Sequence, residues 1–435
     1  MQIQRKKLVL WFCGGCIGFA SLPVLWIWGG NWVAHQQERR SQQQWQALTA
    51  QFAHPSVNQT ALQLEALSAS LGINLLGVQN DRSSLSQAEI KQTEAIHQEL
   101  QAFLERQLED DTDAIEPLPQ RLQNYLKVHA TQLEAIRQQG LQGEMPQWES
   151  ATPYPDVAQV RPTFAGFVKL QRLLVADALE RHRLGQSEAA IASLEASWRL
   201  NQALRDRPEL MSQTVALIVT KTQAGTLRKM NQLPPVWQQR LMEHDYRQSF
   251  LAALNWESWL VADVIRNTDR LAQPHHSLQQ KFWHPIRQPY LRLAALDAAS
   301  KMRQAYRSLP QQNPCLFDAH AFDMDLDTSL AVWNNEREVS LFGFAQQWRT
   351  AGFLMVDLEL TQKVLKTKAA IAQSQTKLRN AVHRPSLVCP QAQWIYQASP
   401  DQGWSLTFSQ ALERPAQAVK GLVLPLTYRA KAQKL

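Results

Sequence analysis

The chain has 435 residues, of which 45% are hydrophobic and only 16 are glycine. At roughly 100–200 residues per domain this allows about two or three domains with a sizeable core, and it excludes wholesale disorder. The net charge of +7 brings nucleic acid to mind as a partner. However, Lys and Arg alternate with acids along the chain, and no basic run interleaves with aromatics, so the clustered footprint nucleic acid requires is missing. Diffuse positive charge suits a protein held close to an anionic lipid surface.

Residues Leu8 to Ala34 contain no charged side chain. Roughly 20 such residues, at 1.5 Å each, cross the hydrocarbon layer of a bilayer. Trp11 stands near one end of the run and Trp26, Trp28 and Trp32 near the other, where indoles favour the lipid–water boundary. Arg5, Lys6 and Lys7 precede the run, whereas Glu38, Arg39 and Arg40 follow it. The positive-inside rule therefore leaves residues 1–7 as a cytoplasmic tail, makes 8–34 a transmembrane helix, and puts everything from about 35 outside. The rival reading is a cleaved signal peptide, but its apolar core is shorter and a small-x-small site should follow. Cys13-Gly14-Gly15-Cys16 has the C-x-x-C spacing of redox motifs, yet inside a span these read as packing residues. Cys315 and Cys389 fall in the outer body, where an oxidising compartment permits one disulfide between them; the alternative is two separate buried thiols.

Past the span, Gln36 to about Ala53 reads as a polar helical stalk, broken at His54-Pro55. A short amphipathic helix is expected from Ala61 to Leu71, stopped at Gly72. Ser86-Gln87-Ala88-Glu89 forms a capping box opening a helix to about Leu108, with Ile96, Leu100, Phe103 and Leu104 on one face. After the acidic break Asp110–Asp113, a second helix from about Leu118 to Gln139 completes a hairpin, with Gly140 as its stop. His129 lies on that helix's apolar stripe, as a partly buried histidine rather than a ligand. The prolines 146, 153, 155 and 162 mark 141–163 as a linker between a stalk-and-hairpin region, 35–140, and a helical body, 164–384.

The body opens with Leu173 to Leu184, a turn at Gly185, and Glu188 to Leu204. Leu174, Ala178, Ala190, Ile191 and Leu194 fall where a tetratricopeptide repeat wants them, but Asp177 and Arg181 do not, and no second copy follows. An ordinary αα-hairpin fits better. Pro208 starts the next helix in its first turn, which runs to about Asn231. Beyond Pro234-Pro235 a long helix runs through Trp237, Phe250 and Ile265, followed by helices over Tyr290–Leu309 and about Gly343–Ser374. From Pro385 the pattern changes. Trp394 to Ser399 and Trp404 to Ser409 alternate around Pro400-Asp401-Gln402-Gly403, a hairpin signal, and Leu422 to Tyr428 offers an edge strand limited by Pro425. Residues 385–435 thus form a small β-hairpin unit with a tail. The whole reads as a mainly α protein: an N-terminal transmembrane helix, a helical-hairpin or bundle body, and this C-terminal unit.

The Gly-Gln-x-Glu-Ala-Ala-Ile turn at 185–191, the Arg-Pro-Glu-Leu segment at 207–210 and the Cys-Pro-x-x-x-Trp-Ile-Tyr hairpin at 389–396 resemble a group of bacterial single-pass membrane-anchored helical proteins. The resemblance covers about residues 164–430. It implies class and location and brings no activity, cofactor or catalytic residue.

The densest set of metal-capable side chains is Asp318, His320, Asp323, Asp325 and Asp327. Carboxylates at alternate positions can wrap a hard cation, so Asp323, Asp325 and Asp327 are candidate metal ligands. An EF-hand would need Gly and Glu where Thr328 and Asn334 stand, and the other reading is a helix start with carboxylates near free N–H groups. His275, His276 and His284 flank a proline-bounded loop without zinc spacing. No nucleotide-binding or hydrolase motif is present in the sequence, and no cofactor is implied. The expectation is therefore a non-catalytic binding or scaffolding ectodomain at the bacterial inner membrane, its body periplasmic, its partners the bilayer through 8–34 and an envelope protein. The alternatives are an envelope hydrolase using the acidic/His cluster and an accessory subunit of a transport complex.

Overall fold

The structure, a computed structural model, describes residues 25, 27–48, 50, 56–75, 87–148, 164–271, 278–330, 344–372, 385–399, 403–412 and 422–431. Its contacts divide the chain into two units, Met1–Ala53 with Leu254–Ser308 and Ala321–Phe342, and His54–Ala253 with Leu309–His320 and Gly343–Leu435. The architecture is mainly helical with a small antiparallel sheet near the C-terminus.

The larger unit begins with α2 (Gln59–Ala69). Asn58 caps it by accepting from the Ala61 N–H at 3.0 Å, and the same side chain bonds Met145 and Gln147 of the chain. Gly72 takes φ +69° just beyond, the left-handed geometry glycine adopts without steric cost. The helix α3 (Gln87–Glu109) buries the expected face of Ile96, Leu100, Phe103 and Leu104. The single helix expected from 118 to 139 is two, α4 (Gln120–Val128) and α5 (Ala130–Gln142), broken at His129. The His129 ring packs on Tyr125 with centroids 4.5 Å apart. Gly140 is not the stop either; α5 runs past it to Gly143. A Cβ at Gly140 would lie 3.1 Å from the Ala196 Cβ, so the absent side chain lets α5 and a later helix touch.

That later helix belongs to the expected αα-hairpin, α6 (Phe164–Arg183) and α7 (Ser187–Arg205), joined at Gly185 with φ +79°. The two residues that spoil a repeat pattern explain themselves here. Arg137 of α5 donates to Asp177 at 3.1 Å and to Ser193 at 3.0 Å, Ser193 donates to Asp177 at 2.6 Å, and Arg181 donates to both Asp177 oxygens at 2.9 Å. Asp177 and Arg137 are both buried; such a pair is held by mutual bonding and is costly to break from one side. This network ties α5 to α6 and α7, so helices on both sides of 141–163 fall in one unit. Residues 149–163 of the expected linker lie outside the described residues.

Next come α8 (Leu210–Lys229), α9 (Val236–Glu243) and α10 (Tyr246–Leu271). The Arg207-Pro208-Glu209 turn before α8 is locked by Arg207, which donates to both Glu209 oxygens at 3.1 and 2.8 Å and to the Trp148 carbonyl at 2.8 Å. The long helix expected after Pro235 is interrupted at His244-Asp245, where Asp245 accepts from the Arg247 and Gln248 N–H groups. An aspartate cap of this kind starts a new helix. Helix α13 (Phe344–Ala372) packs on α8 and α9. The sheet has order β1 (Trp394–Ser399), β2 (Gly403–Phe408), β3 (Thr427–Ala430). The expected hairpin forms, with Trp394 paired to Phe408, Tyr396 paired to Leu406 and Gly403 at φ +86°. β3 is an edge strand just after Pro425.

In the smaller unit, helix α1 (27–48) lies against α11 (Leu278–Tyr306) and α10. Arg292 of α11 donates to Asn31 at 2.8 Å and to Glu38 at 2.8 Å. Trp45 sits on Trp256 and Trp259, with centroids 4.6 and 5.6 Å apart. α11 starts earlier than expected and continues over Pro285 and Pro289, each forgoing one backbone bond. Most of the expected span 8–34 lies outside the described residues. Among the described residues no helix is long and apolar enough to cross a membrane.

Replacing Asp177 with Ala leaves the buried Arg137 with Glu134 as its remaining carboxylate partner and should lower the unfolding free energy by about 2 kcal/mol. Replacing the more exposed Arg183, whose partner is Glu180, should cost at most about 1 kcal/mol. Chemical denaturation of the detergent-solubilised chain followed by circular dichroism checks both.

Candidate functional site

The acidic run does not form a loop. Residues 319–330 make helix α12 (Ala319–Leu330), opened by Asp318 accepting from the His320 N–H at 3.0 Å. Two positions apart on a helix is about 200° of rotation, so Asp323 is buried while Asp325 is exposed, and Asp327 follows in the same helix. Among the described residues no group of three metal-capable side chains comes together. His275 and His276 lie outside the described residues, and His284 lies within α11.

Cys315 and Cys389 do come together, with Cα atoms 6.0 Å apart and sulfurs in contact. Beside them Asn313 donates to Gln391 at 2.6 Å, and Phe317 stands edge-on to Trp348. The chain just before Cys389 is fixed by Glu359 of α13, which accepts from the Ser386 hydroxyl at 2.6 Å and the Leu387 N–H at 3.1 Å.

Three largely buried cations, Arg228, Lys229 and Lys368, gather at the C-terminal end of α8. Unpaired helix-end carbonyls and the negative pole of the helix attract cations. Lys368 of α13 donates to the Arg228 and Met230 carbonyls at 2.7 and 2.9 Å, and its ammonium stands 5.3 Å from the Tyr428 ring. Lys229 donates to the Asp110 carbonyl at 3.1 Å, the Asp110 carboxylate at 2.9 Å and the Thr112 carbonyl at 2.6 Å, which accounts for all three of its protons. Arg228 reaches Thr361 at 2.9 Å, the Pro425 carbonyl at 2.9 Å and the Asp357 carbonyl at 2.7 Å. Alongside, Arg429 of β3 donates its N–H to the Asp111 carbonyl at 2.7 Å, and Val423 donates to Glu109 at 3.2 Å. His182 at the end of α6 accepts from the Asn231 N–H at 3.2 Å.

Burial leaves its mark on these groups. It lowers Lys368 to about 8 and lowers Lys229 against the opposing pull of Asp110. It also raises the Tyr428 hydroxyl and lowers His182. Burial pushes Asp110 up, but hydrogen bonds from Thr112 and Lys229 outweigh it and hold the carboxyl below its usual value. Chemically this is a clasp: the cations cap a helix end and bind three distant segments to it. The acidic break Asp110–Asp113 was legible as a turn, but not as the acceptor for Lys229. Its partner lies 119 residues away in sequence, and no local pattern announces such a pairing.

The chain matches no protein-family model, no curated protein and no solved structure.

Lys368 has a folded pKa below its unfolded one, so the unfolded chain binds more protons between the two. Stability from this group therefore rises as the pH climbs from about 8 towards 10.5. Lys368→Met should flatten that part of the rise, as read by denaturation midpoints at pH 8 and 10.

Proposed function

We propose that the chain is a membrane-tethered helical ectodomain of the bacterial envelope, acting as a non-catalytic binding or scaffolding protein. Its tail is cytoplasmic, residues 8–34 are the tether, and the body is periplasmic. The observation that carries this reading is the two-sided character of α1. One side, with Ala34 fully buried, is held by Arg292 through Asn31 and Glu38. The other leaves Leu25, Trp28 and Trp32 exposed by 62%, 75% and 61%, and their spacing of three and four places them on one face. Bare indoles at the end of an uncharged run are what an interface with lipid covers.

A disulfide between Cys315 and Cys389 fits the same compartment. Their Cα separation of 6.0 Å lies within the range such bonds span, and oxidising conditions outside the cytosol form and keep them. A binding or scaffolding role is supported by how the cations at the end of α8 are used. Arg228, Lys229 and Lys368 are engaged with backbone and carboxylate acceptors of the fold itself, as suits a rigid platform.

The full chain, produced in a bacterium, should remain in the membrane pellet after an alkaline carbonate wash. A C-terminal reporter active only outside the cytosol should light up, and crosslinking should recover a reproducible envelope protein. Release into the wash, or a reporter active in the cytosol, would overturn the tether.

A further inference from the structure

The seam between α3 and α6 contains a histidine that bonds to nothing. His97 is only 4% exposed, and neither ring nitrogen has a hydrogen-bond partner. A neutral imidazole carries one donor and one acceptor, and its protonated form carries two donors. Around it, α3 supplies Glu94, one turn earlier, which is paired with Lys169 of α6. From α6 there is also Arg172, which donates to Gln101 at 2.8 Å. Of the other helices packed on α3, α4 brings Arg121 to Glu99 at 4.0 Å and α8 brings Lys229 to Asp110. Among the described residues the carboxylate that acts on the ring, Glu94, is thus already engaged by a lysine.

We propose that His97 is an acid-sensitive latch: protonating it sets a third cation beside Lys169 and Arg172, releases α3 from α6, and uncovers the apolar face of Ile96, Leu100, Phe103 and Leu104. Those four side chains are all buried in the closed form, so the opened form exposes apolar surface that the closed form hides. The released helix also carries Asp110, the acceptor for Lys229, so the latch reaches the clasp at the end of α8. The device is independent of the membrane reading.

The direction follows from proton linkage. Burial, then Lys169, hold His97 at about 4, below its ordinary 6.5, while Glu94 acts weakly the other way. Between these values an opened α3 binds a proton that the closed one refuses, so closure weakens as the pH falls from about 6.5 towards 4. Glu94 is itself held below its usual value, first by the Lys169 bond, and pulls in the same direction only at lower pH. His244 is also lowered to about 4, but it shares a bond with the Ser249 hydroxyl at 2.8 Å and lies between α9 and α10.

Amide hydrogen exchange of the full chain in detergent, corrected for the intrinsic effect of pH, reads the opening directly. Between pH 7 and 4.5 the opening of α3 should rise on the order of 10²-fold, while α7 stays protected. His97→Phe should abolish that rise and Glu94→Gln should keep it. An α3 that stays equally closed at both values, or a rise that survives His97→Phe, overturns the latch. Should the Phe variant fail to fold, exchange at the imidazole C2 position in the unaltered chain reports His97 titration. Half-protonation well below pH 6 is expected, and a value near 6.5 contradicts the proposal.

Discussion

A buried cation is tolerated only where acceptors surround it, and the larger unit is arranged around that demand. Arg228 and Lys229 end α8 with side chains that solvent barely reaches. Their acceptors are supplied by the turn after α3, by α13, and by the stretch leading into β3. Lys368 closes the same helix end from α13. A helix terminus with its last carbonyls unpaired thus becomes the point where segments more than a hundred residues apart meet. The small sheet is fixed to the helices through Pro425, Tyr428 and Arg429.

The second polar junction follows the same rule. Asp177, Arg137, Ser193 and Arg181 join α5, α6 and α7 with mutual bonds, and close approach is allowed by Gly140 against Ala196. Glycine again allows contact at Gly225, where a Cβ would crowd Leu424 and Leu108. Apolar burial supplies the bulk of the drive to fold, and these polar junctions set which helix meets which.

Much of this was legible in the sequence, and the failures have causes. The alternation around Gly403 gave the hairpin because its cross-strand pairing is local. Four apolar residues at helical spacing gave the buried face of α3. By contrast, Gly140 looked like a helix end, since glycine's use as a packing residue depends on what crosses it. His129 and the His244-Asp245 pair broke helices whose apolar period continued across the break. The run from Asp318 to Asp327 offered a helix start beside a metal loop, and residues 319–330 are helical with Asp318 accepting from the His320 N–H. Asp177 and Arg181 looked like departures from a repeat because their partner, Arg137, lies 40 residues from Asp177. No sequence pattern pointed to Arg228, Lys229 or Lys368, whose roles exist only once the chain has folded.

The account stands or falls on the end of α8 as the place where sheet and helices are joined. The direct measurement is amide hydrogen exchange on the Arg228→Met chain, a change that keeps the bulk of the side chain and removes the guanidinium bonds. Protection in β2 and β3 should fall by at least tenfold, while α6 and α7, held by the Asp177 junction, keep theirs. Unchanged protection in the sheet, or an equal loss everywhere, would contradict it.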